Sequence, residues 1–182
     1  MKKTSLVLIL VFCAGTAFSA DRLLVSAGLN YLQTADSGYK SVYGQSLFYP
    51  DARVGVRIVR GLHAVAGFGF LTKKGETPDL HLPAKSTQMF YSAGLAYIAN
   101  VGGMVNFKVE AGVADISYKE EAMDLIVKGS KLGYQAELGL LIMGEVAFTE
   151  IDLGYIGASD TLAGVNIKLG GARAALRIGF RI

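Results

Sequence analysis

The chain has 182 residues, of which 52% are hydrophobic, with 23 glycines, 3 prolines, 1 cysteine and a formal charge of +3. That length suits one domain, and so balanced a charge argues against a nucleic-acid binder. Past residue 20 no apolar run is long enough for a membrane-spanning helix, so this much apolar surface needs another home.

The first predicted element is one that export removes. The N-terminus reads MKKTSLVLILVFCAGTAFSA, in which Lys2 and Lys3 are a positive start and Leu6 to Ala14 a short apolar core. Ala17-Phe18-Ser19 then fits a small-x-small cleavage site. Residues 1–19 are predicted to be a secretory signal peptide, with cleavage after Ser19, or after Ala20 with Phe18 less well placed. Residues 20–182 are left as the mature domain. Losing Lys2 and Lys3 takes the formal charge from +3 to +1. Cys13 is lost as well, and the bulky Phe12 before it does not suit a lipoprotein site. The mature chain then has no disulfide or thiol chemistry.

Period-2 alternation dominates the rest, which is the mark of strands with two unlike faces. Leu23, Val25, Ala27, Leu29 and Tyr31 alternate with Arg22, Leu24, Ser26, Gly28 and Asn30. Val54, Val56 and Ile58 alternate with Arg53, Gly55 and Arg57. Val105, Phe107, Val109, Ala111 and Val113 alternate with Asn106, Lys108, Glu110 and Gly112. Leu132, Tyr134, Ala136, Leu138 and Leu140 alternate with Gly133, Gln135, Glu137 and Gly139. Eight strands are predicted, over residues 22–32, 52–60, 62–72, 87–98, 104–113, 132–142, 145–155 and 172–182. In 145–155, Ile151, Leu153 and Tyr155 share the apolar face. This points Val146 and Phe148 inward unless a bulge near Thr149 turns them out.

The last strand carries Arg173, Arg177 and Arg181, a four-residue spacing that fits one face of a helix or of a strand. Gly179 and Ile178 are poor helix formers, and every even position from Ala172 to Ile182 is apolar, so a strand is expected.

Connections alternate in length. Residues 60–61, 100–103 and 143–144 are tight, Gly- and Asn-rich turns, whereas 33–51, 73–86, 114–131 and 156–171 are long. Strands of about ten residues with short turns at one end and long loops at the other suit a transmembrane barrel, with both chain ends on the periplasmic side. A soluble lipocalin-like barrel also has eight strands but reverses the faces. Three features decide between them. The polar face is dense in glycine, as a narrow interior requires. The apolar face is almost free of charge. Aromatic residues also fall near both ends of that face, with Tyr31, Phe70, Tyr134 and Tyr155 towards the long loops and Tyr97 and Phe180 towards the turns. The expected fold is therefore all-β, an eight-stranded antiparallel up-and-down transmembrane β-barrel.

In this architecture the mature chain resembles the small eight-stranded outer-membrane barrels of Gram-negative bacteria, the family containing OmpX and the OmpA membrane domain. Its end resembles that family's C-terminal assembly signal, with Arg173, Ala175, Ile178 and Phe180 at the matching spacing. It departs in having Ala175 where glycine is usual and Arg181-Ile182 after the aromatic. The resemblance implies an outer-membrane location, contact with outer-membrane lipids including lipopolysaccharide, and handling by the barrel assembly machinery.

With the apolar face towards lipid, Arg53, Arg57, Lys108, Glu110, Glu137, Glu150, Asp152, Arg173 and Arg177 line the lumen. Charges in a narrow lumen must be paired or wet, and Glu150 and Asp152 stand ready beside Arg173 and Arg177 in the preceding strand. The expected role of these residues is an electrostatic core, and the alternative is the lining of a small, porin-like pore.

No catalytic, cofactor-binding or metal-ligating pattern is legible. His63 sits beside the Arg60-Gly61 turn, on the wrong side for chemistry on lipid A. His81 follows Asp79 in a long loop with Ser86 nearby, and Asp115, Glu120, Glu121 and Asp124 could attract a cation. Both groups read more simply as solvated loop residues. Two function classes remain. One is a non-enzymatic surface barrel whose loops meet lipopolysaccharide, host or partner proteins, and the other is a lipid A-modifying enzyme.

Overall fold

The structure is a computed structural model in which residues 23–182 are described apart from 79, 123, 124 and 163. The predicted signal peptide over 1–19 lies outside the described residues. Alternating faces allow a sheet to curl until its last strand meets its first, and this chain does so. The strands are β1 (Leu23–Thr34), β2 (Ser46–Val59), β3 (Leu62–Glu76), β4 (Pro83–Gly102), β5 (Val105–Ala122), β6 (Leu125–Met143), β7 (Ala147–Leu162) and β8 (Val165–Arg181). They run in chain order around a closed, antiparallel barrel. β8 pairs back onto β1 from Leu24–Arg181 to Thr34–Gly171. In the closed band this leaves no edge to template aggregation.

The first tight turn falls at 60–61 as expected, and the other two lie slightly later than expected, at 103–104 and 144–146 in place of 100–103 and 143–144. Gly61 and Gly103 take φ of 78° and 56°, a region in which a side chain would be strained. Register shifts at Arg57/Val59 and Asn100/Gly102 sit beside the same two turns.

The opposite end differs from expectation. Most of the residues predicted as long loops continue the strands, so that β4, β5 and β6 reach 20, 18 and 19 residues. A tilted strand needs only about ten to cross a bilayer. The segment 33–51 holds the one described helix, α1 (Ser37–Tyr43), and β2 begins at Ser46. The predicted loop 73–86 shrinks to 77–82.

The physical reason is visible in β5. Up to Val113 the apolar residues point outward and the polar ones inward. From Ala114 the two exchange faces, with Ala114, Ile116 and Tyr118 buried and Lys119 exposed. The exchange marks the level at which lipid gives way to water. Beyond it the wall divides. β2 and β3 pair only from Asp51–Gly69 towards the tight turn, and β6 and β7 only from Tyr134–Gly157. Helix α1 packs into the first gap, and the second is bridged by Lys131 Nζ to Asp160 at 2.9 Å and by Tyr118 Oη to Asp160 at 2.7 Å.

The strand whose register the sequence left open has no bulge. β7 pairs continuously with β8 from Ala147–Phe180 to Leu162–Val165. Phe148 points into the lumen and is buried over Gly179, where any Cβ would collide with its ring, while Val146 lies before the strand and is exposed.

Candidate functional site

The lumen is filled in two layers. The lower layer is ionic. Arg53 holds Glu137 with two guanidinium nitrogens, at 2.6 and 3.0 Å, and Glu110 at 2.8 Å. Lys108 bonds Glu150 and sits 2.8 Å from Asp152. Arg173 pairs with Glu137 and donates to Gln135 Oε1 at 3.0 Å. Arg177 is 0% exposed, pairs with Asp152, and donates to Asp51 from Nε at 2.8 Å and to Asn30 at 3.2 Å.

Two details differ from the sequence reading. Arg173 reaches across to β6 and finds Glu137 in place of Glu150 or Asp152. Arg57 stands apart, half-buried opposite His63, and forms no ion pair among the described residues. The sequence reading put Asn30 and Gln135 on the polar face without counting them in the network, and it missed Asp51. Asp51 was assigned to a loop, although it has the same parity as Arg53, and extending β2 by one alternation would have placed it. The glycines facing this layer leave room for its long side chains. At Gly139 a Cβ would overlap the Asp152 carboxylate.

The upper layer is apolar, a plug that includes Leu32, Leu47, Tyr49, Leu71, Phe90 and Ile116. Tyr49 and Phe90 stack with ring centroids 4.8 Å apart. Helix α1 lies over the plug. Asp36 caps its first turn by accepting from the Tyr39 amide at 2.8 Å, and its other carboxylate oxygen accepts from the Lys168 amide at 2.9 Å. At the far end Val42 and Tyr43 sit against Gly75 so closely that a Cβ there would meet the Val42 carbonyl. Tyr39 Oη donates to Ser86 at 3.0 Å, and Ser86 donates to Glu120 at 2.6 Å. Burial pushes the Tyr39 phenol up to about 12. Burial also raises the Glu120 carboxyl, against the opposing hydrogen bonds from Ser86 and Tyr43.

The residues considered for chemistry are not brought together. His63 is buried at the tight-turn end, with Nδ1 3.2 Å from the Gly61 carbonyl. His81 is exposed and faces Glu76 at 3.8 Å, whereas Ser86 is fully buried beneath α1. Asp79 and Asp124 lie outside the described residues. Glu120 points inward while Asp115 and Glu121 have the opposite parity, so these carboxylates do not converge.

In the terminal strand Arg173 and Ala175 face the lumen, and Ile178 and Phe180 face out. The outward band also holds Leu29, Phe68, Phe70, Tyr97, Tyr134, Leu138, Leu153 and Leu176, all exposed. Carried by every strand, such a surface is stable only against lipid.

No family model and no curated protein matches the sequence. Solved structures do. Outer membrane protein OprG from Pseudomonas aeruginosa aligns with a TM-score of 0.70 at 14% identity, over 90% of this chain and 96% of that one. Ail of Yersinia pestis, the attachment invasion locus protein, solved with the heparin analogue sucrose octasulfate, aligns at 0.60 and 13% identity, over 90% of this chain and 100% of that one. Neisserial surface protein A aligns at 0.57 and 15% identity, over 91% and 99%. The class is thus defined by geometry: the chain has the fold of the small eight-stranded outer-membrane β-barrels.

Proposed function

We propose that the protein is a non-enzymatic barrel of the bacterial outer membrane, with a side-chain-filled lumen and strand extensions that meet molecules outside the cell. The observation that carries this reading is the two-layer filling of the lumen. Two cavities among its side chains are of about 30 and 10 Å³, the first lined by Arg53, His63, Lys108 and Phe148 among others and the second by Tyr49, Arg53 and Arg173 among others. Each has room for one or two waters. The separation of His81 from Ser86 supports the non-enzymatic part. Arg173, Ala175, Ile178 and Phe180 would present the assembly signal before the strand pairs.

Two measurements test the reading. Purified barrel in planar bilayers should give no steady conductance, and cells expressing it should keep the lipid A mass profile of cells without it. Regular open-channel steps would overturn the closed lumen. A gained or lost acyl or phosphate mass would overturn the non-enzymatic role.

A further inference from the structure

We propose that the ionic layer of the lumen is a binding site for one proton, shared between Glu150 and Asp152 on β7. The proposal rests on the filling of the lumen and needs neither the membrane sidedness nor the role proposed above.

The first observation is a charge count. To the layer β2 brings Asp51 and Arg53, β5 brings Lys108 and Glu110, and β6 brings Glu137. Strand β7 adds Glu150 and Asp152, and β8 adds Arg173 and Arg177. That makes five carboxylates against four cations. The inward residues of β1 and β4 are uncharged. On β2 and β3, Arg57 and His63 lie opposite one another nearer the tight turns, and neither forms an ion pair with the layer among the described residues. An enclosed carboxylate without a counter-charge is costly. The layer therefore needs one positive charge more than its side chains supply.

The second observation is where the excess falls. Glu150 and Asp152 are successive inward positions of one strand, and both turn to the same two cations. Lys108 Nζ bonds Glu150 and is 2.8 Å from Asp152, while Arg177 Nη1 bonds Asp152 and is 3.5 Å from Glu150. Neither cation is theirs alone, because Lys108 is also 3.4 Å from Glu110 and Arg177 2.8 Å from Asp51. The two carboxyl groups are within hydrogen-bonding reach of each other. Asp152 is 1% exposed, and its Oδ1 accepts no hydrogen bond among the described residues, Lys108 standing close but out of line. Paired carboxylates that divide their counter-charges in this way keep one proton between them.

The third observation is a route. The cavity of about 30 Å³ touches Lys108, Glu110 and Glu150 on one side and His63 and Ile98 on the other, so its one or two waters connect the layer with the tight-turn end. The stacked Tyr49 and Phe90 lie on the opposite side of the layer, in the apolar plug. The proton is exchanged through the tight-turn end. Alkali that removes it leaves the excess charge bare, so the barrel loses stability as pH rises.

The test uses the mature chain refolded into ester-free detergent micelles, so that no lipid carbonyl hides the infrared band of a protonated carboxyl. Every sample carries Glu120→Gln, because burial also favours the protonated form of Glu120. At neutral pH this parent should show the band of one protonated carboxyl. Asp152→Asn and Glu150→Gln should each lose it, and Asp115→Asn, on the outer wall, should keep it. From neutral to alkaline pH the parent should lose the band and its urea midpoint should fall, with a smaller fall in Asp152→Asn. A parent spectrum without the band overturns the proposal, and a midpoint that then rises with added potassium chloride gives the charge to an alkali cation instead. A band that survives in both β7 variants, or an equal alkaline fall in Asp152→Asn, is equally fatal. Folding is checked by mobility of unboiled against boiled samples. If Asp152→Asn does not fold, Glu150→Gln carries the comparison, and the parent spectrum decides by itself.

Discussion

Arg177 is wholly enclosed in the ionic layer of the lumen, and its fate depends on its partners. Removing it leaves Asp51 and Asp152 as buried charges without their main counter-ion. Arg177→Leu should therefore cost about 3–5 kcal/mol. Neutralising Asp51 or Asp152 to asparagine should recover part of that loss, because contacting residues couple while independent ones add. Leu176, one position away, faces lipid and is 55% exposed. Leu176→Arg should cost about 2–4 kcal/mol near the midplane, with no rescue by either asparagine. Reversible urea unfolding in lipid vesicles measures all of these, and a silent Arg177→Leu would mean that the ionic layer is not the core of the barrel. Individual side chains were legible from parity: Lys108, Glu110, Glu137, Glu150 and Asp152 could each be assigned to the lumen by counting in twos. Their pairing was legible only in part: Arg177 meets Asp152 as hairpin order suggests, whereas Arg173 finds Glu137 across the lumen, and strand order says nothing of such contacts.

Helix α1 was hidden in a segment read as loop, although its punctuation is present. Asp36 is a capping residue, Gly44 ends the helix at φ 87°, and Tyr39, Val42 and Tyr43 recur at helical spacing. Seven residues are too few for that period to stand out. The strand extensions were missed for a different reason. Beyond Val113 the alternation persists with its faces exchanged, and a search for outward apolar residues sees polar loop there. The lid also carries a pH dependence. Glu120 is harder to ionise in the folded protein than in the unfolded chain because it is buried, so the folded state binds its proton more tightly. The stability this contributes is full below the ordinary carboxylate value and is lost as pH rises through the raised one. Hydrogen-exchange protection of the α1 amides, corrected for intrinsic rate, should fall over that window. The fall should vanish in Glu120→Gln, and an identical slope in that variant would remove Glu120 from the account.

The whole molecule is asymmetric about the membrane, with turns of a few residues at one end and ribbons of up to nine further residues at the other. A cysteine at Leu80 should be labelled by a membrane-impermeant reagent on intact cells, and one at Gly103 should not; the reverse pattern would mean that the barrel is inserted upside down. The barrel itself was legible because closure and strand number rest on period and connection length, both of which are local in sequence. The filling has a further consequence, which concerns time. Along the chain from β1 to β7 the ionic layer gathers five carboxylates, Asp51, Glu110, Glu137, Glu150 and Asp152, against only Arg53 and Lys108. The missing positive charge arrives last, on β8, as Arg173 and Arg177. Before the final strand pairs, the layer holds three more carboxylates than cations, and with Arg173 and Arg177 in place the excess falls to one. The terminal strand thus works as a keystone, closing the ring and supplying most of the positive charge that the other seven strands lack.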